Sequence, residues 1–426
     1  MTPYRAEKAV ATHQLSSRCG IIVHSHLRWD FVWQRPQQIF SRLAEKNPVL
    51  FVEEPCFADD RIKPTLHFSL TSGVLRAVPT LPRNLEGNYD GSISVIRGLL
   101  EQALRQPPLA RHFDEVIQWF YTPMPADEML GAFGEAAVVY DCMDELSQFR
   151  FAPQDLGRRE RLLLSRADVV FTGGRKLYAL KSRSHSNVHF FGCGADAEHF
   201  GRARSVETLI PSDIANLPRP ILGYFGVIDE RLDYELVRAL AAAFRDATVL
   251  MIGPTAKVDV ASLPAMPNVH WLGQRLYCDL PAYVKGFDVC LMPFALNEAT
   301  EYINPTKTLE YMATGKPIVS TAVPDVVQNF APIVAVARSA GDFIEAVRGS
   351  LMQLNEERSN AGIAMAAAHS WENVVTSMST LAAKAVAQRR QSMACVTSAM
   401  PATISERSHR VRQQTFTYAD PIAEAS

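Results

Sequence analysis

Residues 288–321 read DVCLMPFALNEATEYINPTKTLEYMATGKPIVST, which predicts a strand, a loop, a helix and a second strand in that order. The two ends are short apolar runs, and such runs are typical of buried strands in parallel sheets. Asn304 and Pro305 suit the N-cap and the first position of the helix between them. Gly315 suits its C-terminal cap, and Pro317 prevents the helix from continuing. The stretch therefore predicts a strand–helix–strand unit of a parallel sheet.

The same alternation of apolar runs and helical patterns extends in both directions from this unit. Residues 65–79 hold two additional strand-like runs, LHFSL and VLRAVP. Helices are predicted in the second half over 232–244, 279–286, 341–355 and 371–388. The main predicted strands are GIIVH, PVLFVEE, EVIQWFY, AAVVYD, ADVVFT and NVHFF in the first half, and ILGYF, TVLMIG, NVHWLG, DVCLMPF, PIVST and IVAVA in the second. This order predicts an α/β protein with two Rossmann-like, doubly wound domains.

Changes in composition divide the chain into six segments. They are a flexible N-terminal tail (1–17), a first domain (18–205), a polar linker (206–219), a second domain (220–370), a C-terminal helix that could pack back on the first domain (371–390) and a disordered tail (391–426). Two such domains leave a cleft between them, and in doubly wound sheets ligands bind outside the carboxyl ends of the strands. The sequence therefore predicts a ligand site in the cleft.

The overall composition excludes several classes of protein. A hydrophobic content of 47% with 21% charged residues is ordinary for a globular chain, and a formal net charge of -2 argues against a nucleic-acid binder. The seven cysteines are scattered and none lies in a C-x-x-C pair, which is typical of a reducing compartment rather than of a disulfide scaffold or a zinc site. No apolar run approaches the roughly 18 residues of a membrane span, and the N-terminus lacks the apolar core of a signal peptide. We therefore expect a cytoplasmic protein.

The helix of the opening stretch begins at the edge of the sheet where ligands bind. Its free N–H groups and the positive end of its dipole make a site for an anion. Thr306, Lys307 and Glu310 share one side of this helix, because successive residues are about 100° apart. This arrangement describes a nucleoside diphosphate, with its phosphates at Thr306 and Lys307 and its ribose hydroxyls at Glu310. The alternative is a well-capped helix whose polar face is solvated.

A second candidate phosphate site follows the predicted strand ILGYF. Gly226 permits close approach of a ligand to the backbone, and the planar guanidinium of Arg231 could bind a phosphate. Asp229, Glu230 and Asp233 offer the alternative of a solvated turn of mutually paired charges. The dinucleotide fingerprint G-x-G-x-x-G appears at none of the predicted strand ends, so this stretch is not that motif.

Two strand ends of the first half also carry polar side chains. Asp141 and Asp144 have the spacing of a general base or of a pair that binds hydroxyls, with helix capping as the alternative. No Asp-x-Asp pair occurs in the chain, so a metal that bridges a diphosphate is not indicated. The loop after the first strand suits stacking on a sugar and binding of anionic groups, with Trp packing at a domain edge as the alternative. It crowds together His24, His26, Arg28, Trp29, Trp33, Gln34 and Arg35.

The stretch 150–183 is basic, with nine Lys or Arg and three Asp or Glu. It could make a peripheral contact with an anionic surface on the inner face of the cell membrane, or bind an acidic acceptor. The alternative is a solvated helix face.

Several motifs together resemble the donor-binding domain of family 4 glycosyltransferases, which have the GT-B fold. They are GYFGVIDERLD, MIGP, NVHWLGQRLYCDLPAYVKGFDVCLMPF and NPTKTLEYMATGKPIVST. WDFVWQRPQQ, VVYDCMDE, RADVVFTGGRKLYALK and GCGADAEHF extend the resemblance through the first domain, so that it covers roughly residues 18–388. The resemblance implies transfer of a sugar from a nucleoside-diphosphate sugar, bound by the second domain, to a saccharide or lipid-linked acceptor bound by the first. It also implies a retaining, metal-independent reaction with no tightly bound cofactor.

The family's motifs also imply roles for single residues. Arg231 falls where the family usually has a phosphate-binding lysine, and Glu310 is the second member of its glutamate pair. The first member's position is occupied by Tyr302, beside Glu301, and many relatives carry His at the place of Met143. The implied donor site is Gly226, Arg231, Gly253, Asn304, Thr306, Lys307 and Glu310. The implied catalytic residues are Asp141, Asp144, Arg231 and Lys307, and those for the acceptor or sugar are His24, Arg28, Trp33, Gln34, Arg35 and Tyr302.

Two other classes of protein fit the same residues. Nonhydrolysing sugar-nucleotide 2-epimerases share the two-domain architecture. A non-catalytic sugar-nucleotide-binding subunit would account for the glutamate that is missing at Tyr302. The altered glutamate pair and the two aspartates also permit an inverting transferase with an Asp base.

Overall fold

The computed structural model describes residues 15–149, 152–298, 300–353 and 355–399. Most of the predicted N-terminal tail and residues 400–426 of the predicted C-terminal tail lie outside the described residues. Within these ranges the chain forms two largely parallel sheets with helices between their strands. The predicted α/β class with two doubly wound domains is therefore confirmed.

Nine strands form the sheet of the first domain. They are β1 (Cys19–His24), β2 (Val49–Val52), β3 (Cys56–Ala58), β4 (Thr65–Thr71), β5 (Val74–Pro82), β6 (Glu115–Phe120), β7 (Ala137–Cys142), β8 (Val169–Thr172) and β9 (Val188–Phe190). Their spatial order is β3-β5-β2-β1-β6-β7-β8-β9, and β4 pairs with β5. The pairing of β4 with β5 is antiparallel, so the additional runs LHFSL and VLRAVP form a hairpin on an otherwise parallel sheet.

Six parallel strands form the sheet of the second domain. They are β10 (Ile221–Phe225), β11 (Thr248–Ile252), β12 (Val269–Gly273), β13 (Val289–Met292), β14 (Ile318–Thr321) and β15 (Ala335–Ala337). Their spatial order is β12-β11-β10-β13-β14-β15. The strands β10, β11 and β13 are buried along their whole length, which explains their uninterrupted apolar sequences.

Helices alternate with these strands, as parallel connections require. Those from the first strand to the start of the second sheet are α1 (Arg35–Leu43), α2 (Tyr89–Leu104), α3 (Ala126–Met129), α4 (Leu156–Arg166), α5 (Arg175–Lys181), α6 (Ala197–Gly201) and α7 (Ser212–Ala215). Those that follow are α8 (Tyr234–Ala243), α9 (Leu280–Gly286), α10 (Lys307–Thr314), α11 (Pro324–Phe330), α12 (Ala340–Met352), α13 (Glu356–Ala368) and α14 (Trp371–Ala399).

In each sheet the direction of the strand order reverses at one pair of neighbours. The strand β1 lies between β2 and β6, and β10 lies between β11 and β13. At such a switch point the connections leave on opposite faces, which opens a crevice outside the carboxyl ends of the two strands. The fold thus provides two crevices, one at β1 and β6 and one at β10 and β13.

The chain enters the second domain earlier than predicted. Ala195 and Phe200 are buried in the core of the second domain, and the ring of Phe200 stacks on that of Phe225 in β10 with 5.7 Å between centroids. The helix α6 therefore packs with the second domain, and the predicted first-domain boundary at residue 205 is wrong. A single buried ring within the polar sequence GADAEHFG gives no period by which to recognise this crossing.

Two predictions about helices also need correction. The helix α13 was not among the predicted elements, because only Gly362 and Ala366 are buried along it and so narrow an apolar face produces no clear helical period. The helix α14 is described up to Ala399. Residues 391–399 are therefore helical, although the sequence predicts a disordered tail from residue 391.

The helix α14 crosses back from the second domain and packs on the first. Trp371, at its start, and Met378 are fully buried in the core of the first domain. Next to this crossing, Ala195 runs parallel to Ser370, and its N–H donates to the carbonyl of His369 at 2.8 Å. The two places where the chain passes between the domains therefore lie side by side.

We expect Trp371→Ala to destabilise the protein strongly, because it removes a fully buried ring that anchors α14. Such truncations cost about 3–5 kcal/mol, and a lowering of the first unfolding transition by roughly 6–20 °C follows for a domain of this size. Differential scanning calorimetry measures it, with the exposed Met352→Ala as the control. A shift no larger than that of the control would show that α14 does not anchor the first domain.

Candidate active site

A cavity of about 880 Å³ lies between the two domains. The loops after β1, β6, β10 and β13 all line it, at positions that include Trp33, Thr122, Gly226 and Phe294. These four strands form the two switch points, so both crevices open into one cavity. Its volume lies within the range of small-molecule sites.

The helix α10 of the opening stretch begins at this cavity. Lys307 is its first residue, Thr306 occupies the N-cap position and Gly315 forms the left-handed C-terminal cap with φ 70°, as expected of a glycine there. The predicted N-cap role of Asn304 is wrong, because its side-chain amide donates to the carbonyl of Gly173 in the first domain at 3.3 Å. The backbone N–H groups of Thr306 and Lys307 have no partner among the described residues. Both donors are therefore available to an anion.

The ammonium of Lys307 lies over Gly226 at the end of β10. Gly226 has φ 141°, and a Cβ at this position would fall 2.0 Å from Cε of Lys307, so glycine is what leaves room for the lysine. The ammonium forms no ion pair with any described residue and lies 5.6 Å from the centroid of the Tyr224 ring. Burial lowers the pKa of Lys307, while the nearby Glu310 raises it. Lys307 is thus a cation available to a ligand.

Glu310 lies one turn further along α10 and lines the same cavity. Its side chain is buried, and its carboxylate has no hydrogen-bond partner among the described residues. Burial raises the pKa of Glu310 to about 7, Lys307 opposes this shift and Asp196 adds to it. A buried carboxylate without donors is unfavourable. The predicted contact with ribose hydroxyls would supply such donors.

Arg231 also lines the cavity, although its guanidinium is already engaged. Its Nε and Nη2 contact the carboxylate of Asp229 at 3.0 Å and 2.6 Å, so the alternative of paired charges is realised in part. Its Nη1 has no partner in the described part of the chain and remains free to donate to a phosphate. Gly253 has φ 147°, and a Cβ there would fall 1.8 Å from the carbonyl oxygen of Gly226. Close packing of two loops explains this second glycine.

The two aspartates after β7 have different surroundings. Asp141 is buried and accepts from Nε and Nη2 of Arg35 at 3.1 Å and 2.9 Å, while Nη1 of Arg35 donates to the carbonyl of Phe191 at 2.9 Å. Each member of this buried pair is the counter-charge of the other, which opposes the predicted catalytic role of Asp141 and the predicted acceptor role of Arg35. Asp144 lines the cavity without a hydrogen bond to its carboxylate. Burial raises the pKa of Asp144, and Arg231 lowers it.

The other residues of the loop after β1 divide in the same way. Trp33 and Gln34 line the cavity, and the ring of Trp33 lies 5.8 Å from that of Tyr277 in the second domain. His24 is buried and hydrogen-bonded within the sheet. The guanidinium of Arg28 contacts the loop after β2. Neither His24 nor Arg28 is among the residues that line the cavity, so their predicted acceptor roles are corrected.

Tyr302, where the relatives' glutamate is expected, does not line the cavity either. Its side chain packs against the core of the first domain, and the neighbouring Glu301 forms an ion pair with Lys176 of the first domain at 2.6 Å. The carboxylate of Asp325 in the second domain accepts from the N–H of Arg175 at 3.1 Å. The segment around Tyr302 therefore joins the domains, and its predicted sugar-binding role is corrected.

His26 of the loop after β1 lines the cavity, and so do Glu54, Lys257 and Tyr277, to which the sequence assigned no role. His26 has a buried Nδ1 without a partner, and burial, helped by Lys257, lowers the pKa of His26 to about 4. Glu54 follows β2 and Lys257 follows β11, so the rule about carboxyl strand ends could have found both. Lys257 also has φ 57°, which is uncommon outside glycine. No sequence signal marked Tyr277.

Half of the described basic side chains in the stretch 150–183 form ion pairs. Arg159 and Lys181 are buried and paired with carboxylates, and Arg158 pairs with Asp127. Arg175 and Lys176 contact the second domain, and Arg150 lies outside the described residues. The described basic side chains of this stretch without an ion pair are Arg161, Arg166, Arg175 and Arg183, and of these Arg175 donates to the side-chain amide oxygen of Asn329.

Three structural findings concern membranes, metals and cysteines. None of the described helices has the length and apolarity needed to cross a bilayer. No group of three or more His, Cys, Asp or Glu within the described ranges is placed to hold a metal ion. The six cysteines whose side chains the structure describes are free thiols.

Sequence comparisons place the second domain among glycosyltransferases. Residues 219–353 match the family model described as glycosyl transferases group 1. A Bacillus subtilis (strain 168) protein described as a candidate teichuronic acid biosynthesis glycosyltransferase is 27% identical over 205 residues, which cover 44% of this chain and 51% of that protein. The chain thus matches about half the length of this curated relative.

Structural comparisons extend the similarity to the whole fold. A sucrose-phosphate synthase from Thermosynechococcus elongatus aligns with 88% of this chain and 99% of its own, at a TM-score of 0.63 and 16% identity. An E. coli trehalose-6-phosphate protein with bound UDP-2-fluoro glucose aligns with 85% of this chain and 98% of its own, at a TM-score of 0.63 and 12% identity. A UDP-forming trehalose-phosphate synthase from Burkholderia xenovorans in complex with glucose-6-phosphate aligns with 85% of this chain and 98% of its own, at a TM-score of 0.62 and 12% identity.

These similarities confirm the resemblance predicted from the sequence: the chain has the GT-B fold and is similar to glycosyltransferases. Its second domain carries the pattern of glycosyl transferases group 1.

We expect Asp141→Asn to lower the stability of the protein, because it would leave the Arg35 guanidinium buried without its counter-charge. Breaking a buried pair costs about 3–5 kcal/mol. Asp144→Asn removes an unpaired carboxylate and should change stability by less than about 1 kcal/mol. Calorimetric unfolding of both variants measures the difference. If the two variants unfolded at the same temperature, Asp141 would not have the structural role assigned here.

Glu310 should make stability depend on pH. An unfolded glutamate titrates near its ordinary pKa of about 4.3, whereas the pKa of Glu310 in the folded protein is raised to about 7. The folded state therefore binds more protons between these values, and the contribution of Glu310 to stability falls as the pH rises through this range. The free energy of unfolding of Glu310→Gln should equal that of the wild type near pH 4.5 and exceed it by on the order of 1–3 kcal/mol at pH 8. Urea unfolding at both pH values tests this, and a pH-independent difference would contradict it.

Proposed function

We propose that this protein is an enzyme that transfers a sugar from a nucleoside-diphosphate sugar to a hydroxyl group of an acceptor held between the domains. One observation carries the proposal: an unpaired ammonium, Lys307, and an unpaired buried carboxylate, Glu310, face one cavity from the first turns of α10. A diphosphate matches the first group and ribose hydroxyls match the second. The bound UDP sugar of the similar E. coli structure supports this class of donor.

The site provides most of its positive charge and hydrogen-bond donors to the leaving group, the nucleoside diphosphate. When the bond between the anomeric carbon and the diphosphate breaks, negative charge develops on the phosphate oxygen. Lys307, Nη1 of Arg231 and the free N–H groups at the start of α10 are fixed donors for that charge. Preorganised donors in a site with little water stabilise a transition state without reorganisation.

The second half of the reaction joins the anomeric carbon to the acceptor oxygen, whose proton must leave. We assign a retaining, metal-independent course, in which the acceptor attacks from the face that the leaving group vacates and its proton passes to the diphosphate. Asp144 would then hold the acceptor hydroxyl, since its carboxylate faces the cavity unpaired. An inverting enzyme would use Asp144 as the base instead. The anomeric configuration of the product by NMR and the rate with EDTA present decide these points.

The acceptor is a saccharide or a lipid-linked saccharide used in polysaccharide or glycolipid synthesis. The name of the Bacillus subtilis relative, which refers to teichuronic acid biosynthesis, supports the first of these uses. A membrane contact through 150–183 would rest on Arg161, Arg166 and Arg183, because the other described cations there are engaged. The cytoplasmic location and the absence of a tightly bound cofactor stay predictions from the sequence.

We expect the isolated protein to bind a nucleoside diphosphate and to lose affinity when its free charges are removed. Titration calorimetry against UDP, GDP, ADP and dTDP should identify the preferred base. Lys307→Ala, Arg231→Ala and Glu310→Ala should each weaken that binding by about 10- to 100-fold, because each removes about 1.4–2.8 kcal/mol of charge-assisted contact. The exposed Lys46→Ala is the matched control. Unchanged affinity in all three folded variants would refute the donor site.

Turnover distinguishes transfer from the two other classes that fit the sequence. With a nucleotide sugar and a panel of saccharides, a transferase yields a glycosylated product and free nucleoside diphosphate. A 2-epimerase would isomerise the sugar while it remains attached to the nucleotide. A binding subunit would bind the nucleotide and leave every substrate unchanged. Either of the last two results would overturn the proposal.

A further inference from the structure

The first-domain wall of the cavity has no available cation among the described residues. Arg35 is the guanidinium on this wall, and its donors are taken by Asp141 and the carbonyl of Phe191. Arg28 turns to the loop after β2 and does not line the cavity. His26 is the remaining basic side chain, and burial lowers the pKa of His26 to about 4, so its imidazole is neutral at neutral pH. The sequence alone suggested binding of anionic groups here, and the contacts oppose it.

The same wall carries carboxylates that no described residue satisfies. Glu54 and Asp144 both line the cavity, and neither side chain has a hydrogen bond or an ion pair within the described ranges. Glu54 is exposed to solvent at the rim of the cavity. Partial desolvation still raises the pKa of Glu54, against the charges of Arg28 and Lys257, and burial raises the pKa of Asp144. An ionised carboxylate accepts hydrogen bonds and donates none. Hydroxyl groups of a ligand are the natural donors for both.

Aromatic rings lie on this wall beside the carboxylates. Tyr89, Phe149 and Trp33 all line the cavity, and Trp33 has a T-shaped contact with Trp29 at 6.1 Å between centroids. Rings of this kind pack against the apolar faces of sugars, while neighbouring acceptors take the hydroxyl groups. The wall therefore combines the two features that bind a polyhydroxylated, uncharged ring.

One ammonium reaches this wall from the second domain. Lys257 lies 5.6 Å from the centroid of the Phe149 ring, and its charge, after that of Arg28, lowers the pKa of Glu54. The positive charge of Lys257 is thus partly offset by the carboxylate of Glu54. The charge of Arg28 is balanced by Glu53, with which it forms an ion pair at 3.5 Å. Two unpaired carboxylates and one ammonium then leave the wall with a net negative charge, which repels an additional anion.

We infer that the acceptor unit that occupies the first-domain wall is an uncharged saccharide, bound through Glu54 and Asp144 and packed on Tyr89 and Phe149. This inference rests on the proposed function and names its acceptor class. It also separates this chain from the similar Burkholderia xenovorans protein, whose structure is in complex with glucose-6-phosphate. A phosphate needs free cations, and this wall has no described one of its own.

The test uses matched pairs of saccharides with the full-length protein. Glucose, maltose and cellobiose are each compared with a 6-phosphate or uronic acid counterpart by saturation-transfer NMR, with and without UDP. We expect each neutral member to bind at least about tenfold more tightly than its anionic counterpart, since like charges in a partly dehydrated site readily cost about 1.4 kcal/mol. Glu54→Gln should weaken the neutral members by about threefold or more. Glu54→Lys should shift the preference toward the anionic members, and the exposed Glu86→Gln should change neither.

Each result decides the inference. Equal or tighter binding of the anionic members overturns it, and so does failure of all saccharides to bind a protein that binds UDP. If no nucleoside diphosphate bound, the donor site of the proposed function would fail instead, while the pairs measured without UDP would still decide the nature of the acceptor wall.

Discussion

Parallel strands all end at the same edge of their sheet, and the rest of this structure depends on that constraint. Each sheet has a point where its connections diverge, at β1 and β6 in one domain and at β10 and β13 in the other. Because both points open into one cavity, side chains far apart in the sequence meet there. The fold therefore decides which loops can take part in the chemistry before any polar residue is considered.

Charged side chains that are paired within the protein support the structure, whereas unpaired ones face the cavity. Arg35 and Asp141 are buried and bound to each other, and Lys181 is held by two carboxylates. Lys307 and Glu310 are also sheltered, yet no described residue satisfies either. Burial of a charge without a partner is unfavourable, so a ligand that supplies the partner is bound more tightly. The cavity thus contains groups whose partners are missing from the protein itself.

The sequence indicated the fold well because strands buried on both faces need continuous apolar residues, as β10 and β13 show. It also placed Lys307 and Glu310 on one side of a helix, which follows from helical geometry alone. It could not separate Asp141 from Asp144, because the decisive partner, Arg35, lies 106 positions away. The helix α13 and the crossing near Phe200 were missed for a similar reason, since neither has an apolar period of its own.

The side-by-side passage of the chain between the domains has a mechanical consequence. A single connecting segment would let one domain rotate about several axes relative to the other. Here the segment at Ala195 is hydrogen-bonded to the segment that ends at Trp371, which is itself buried in the first domain. Two connecting segments that are hydrogen-bonded to each other restrict the domains to hinge motion about one axis, with little twisting. Opening would then widen the cavity along a single direction, and closing would return Lys307 and Asp144 to the same mutual alignment each time.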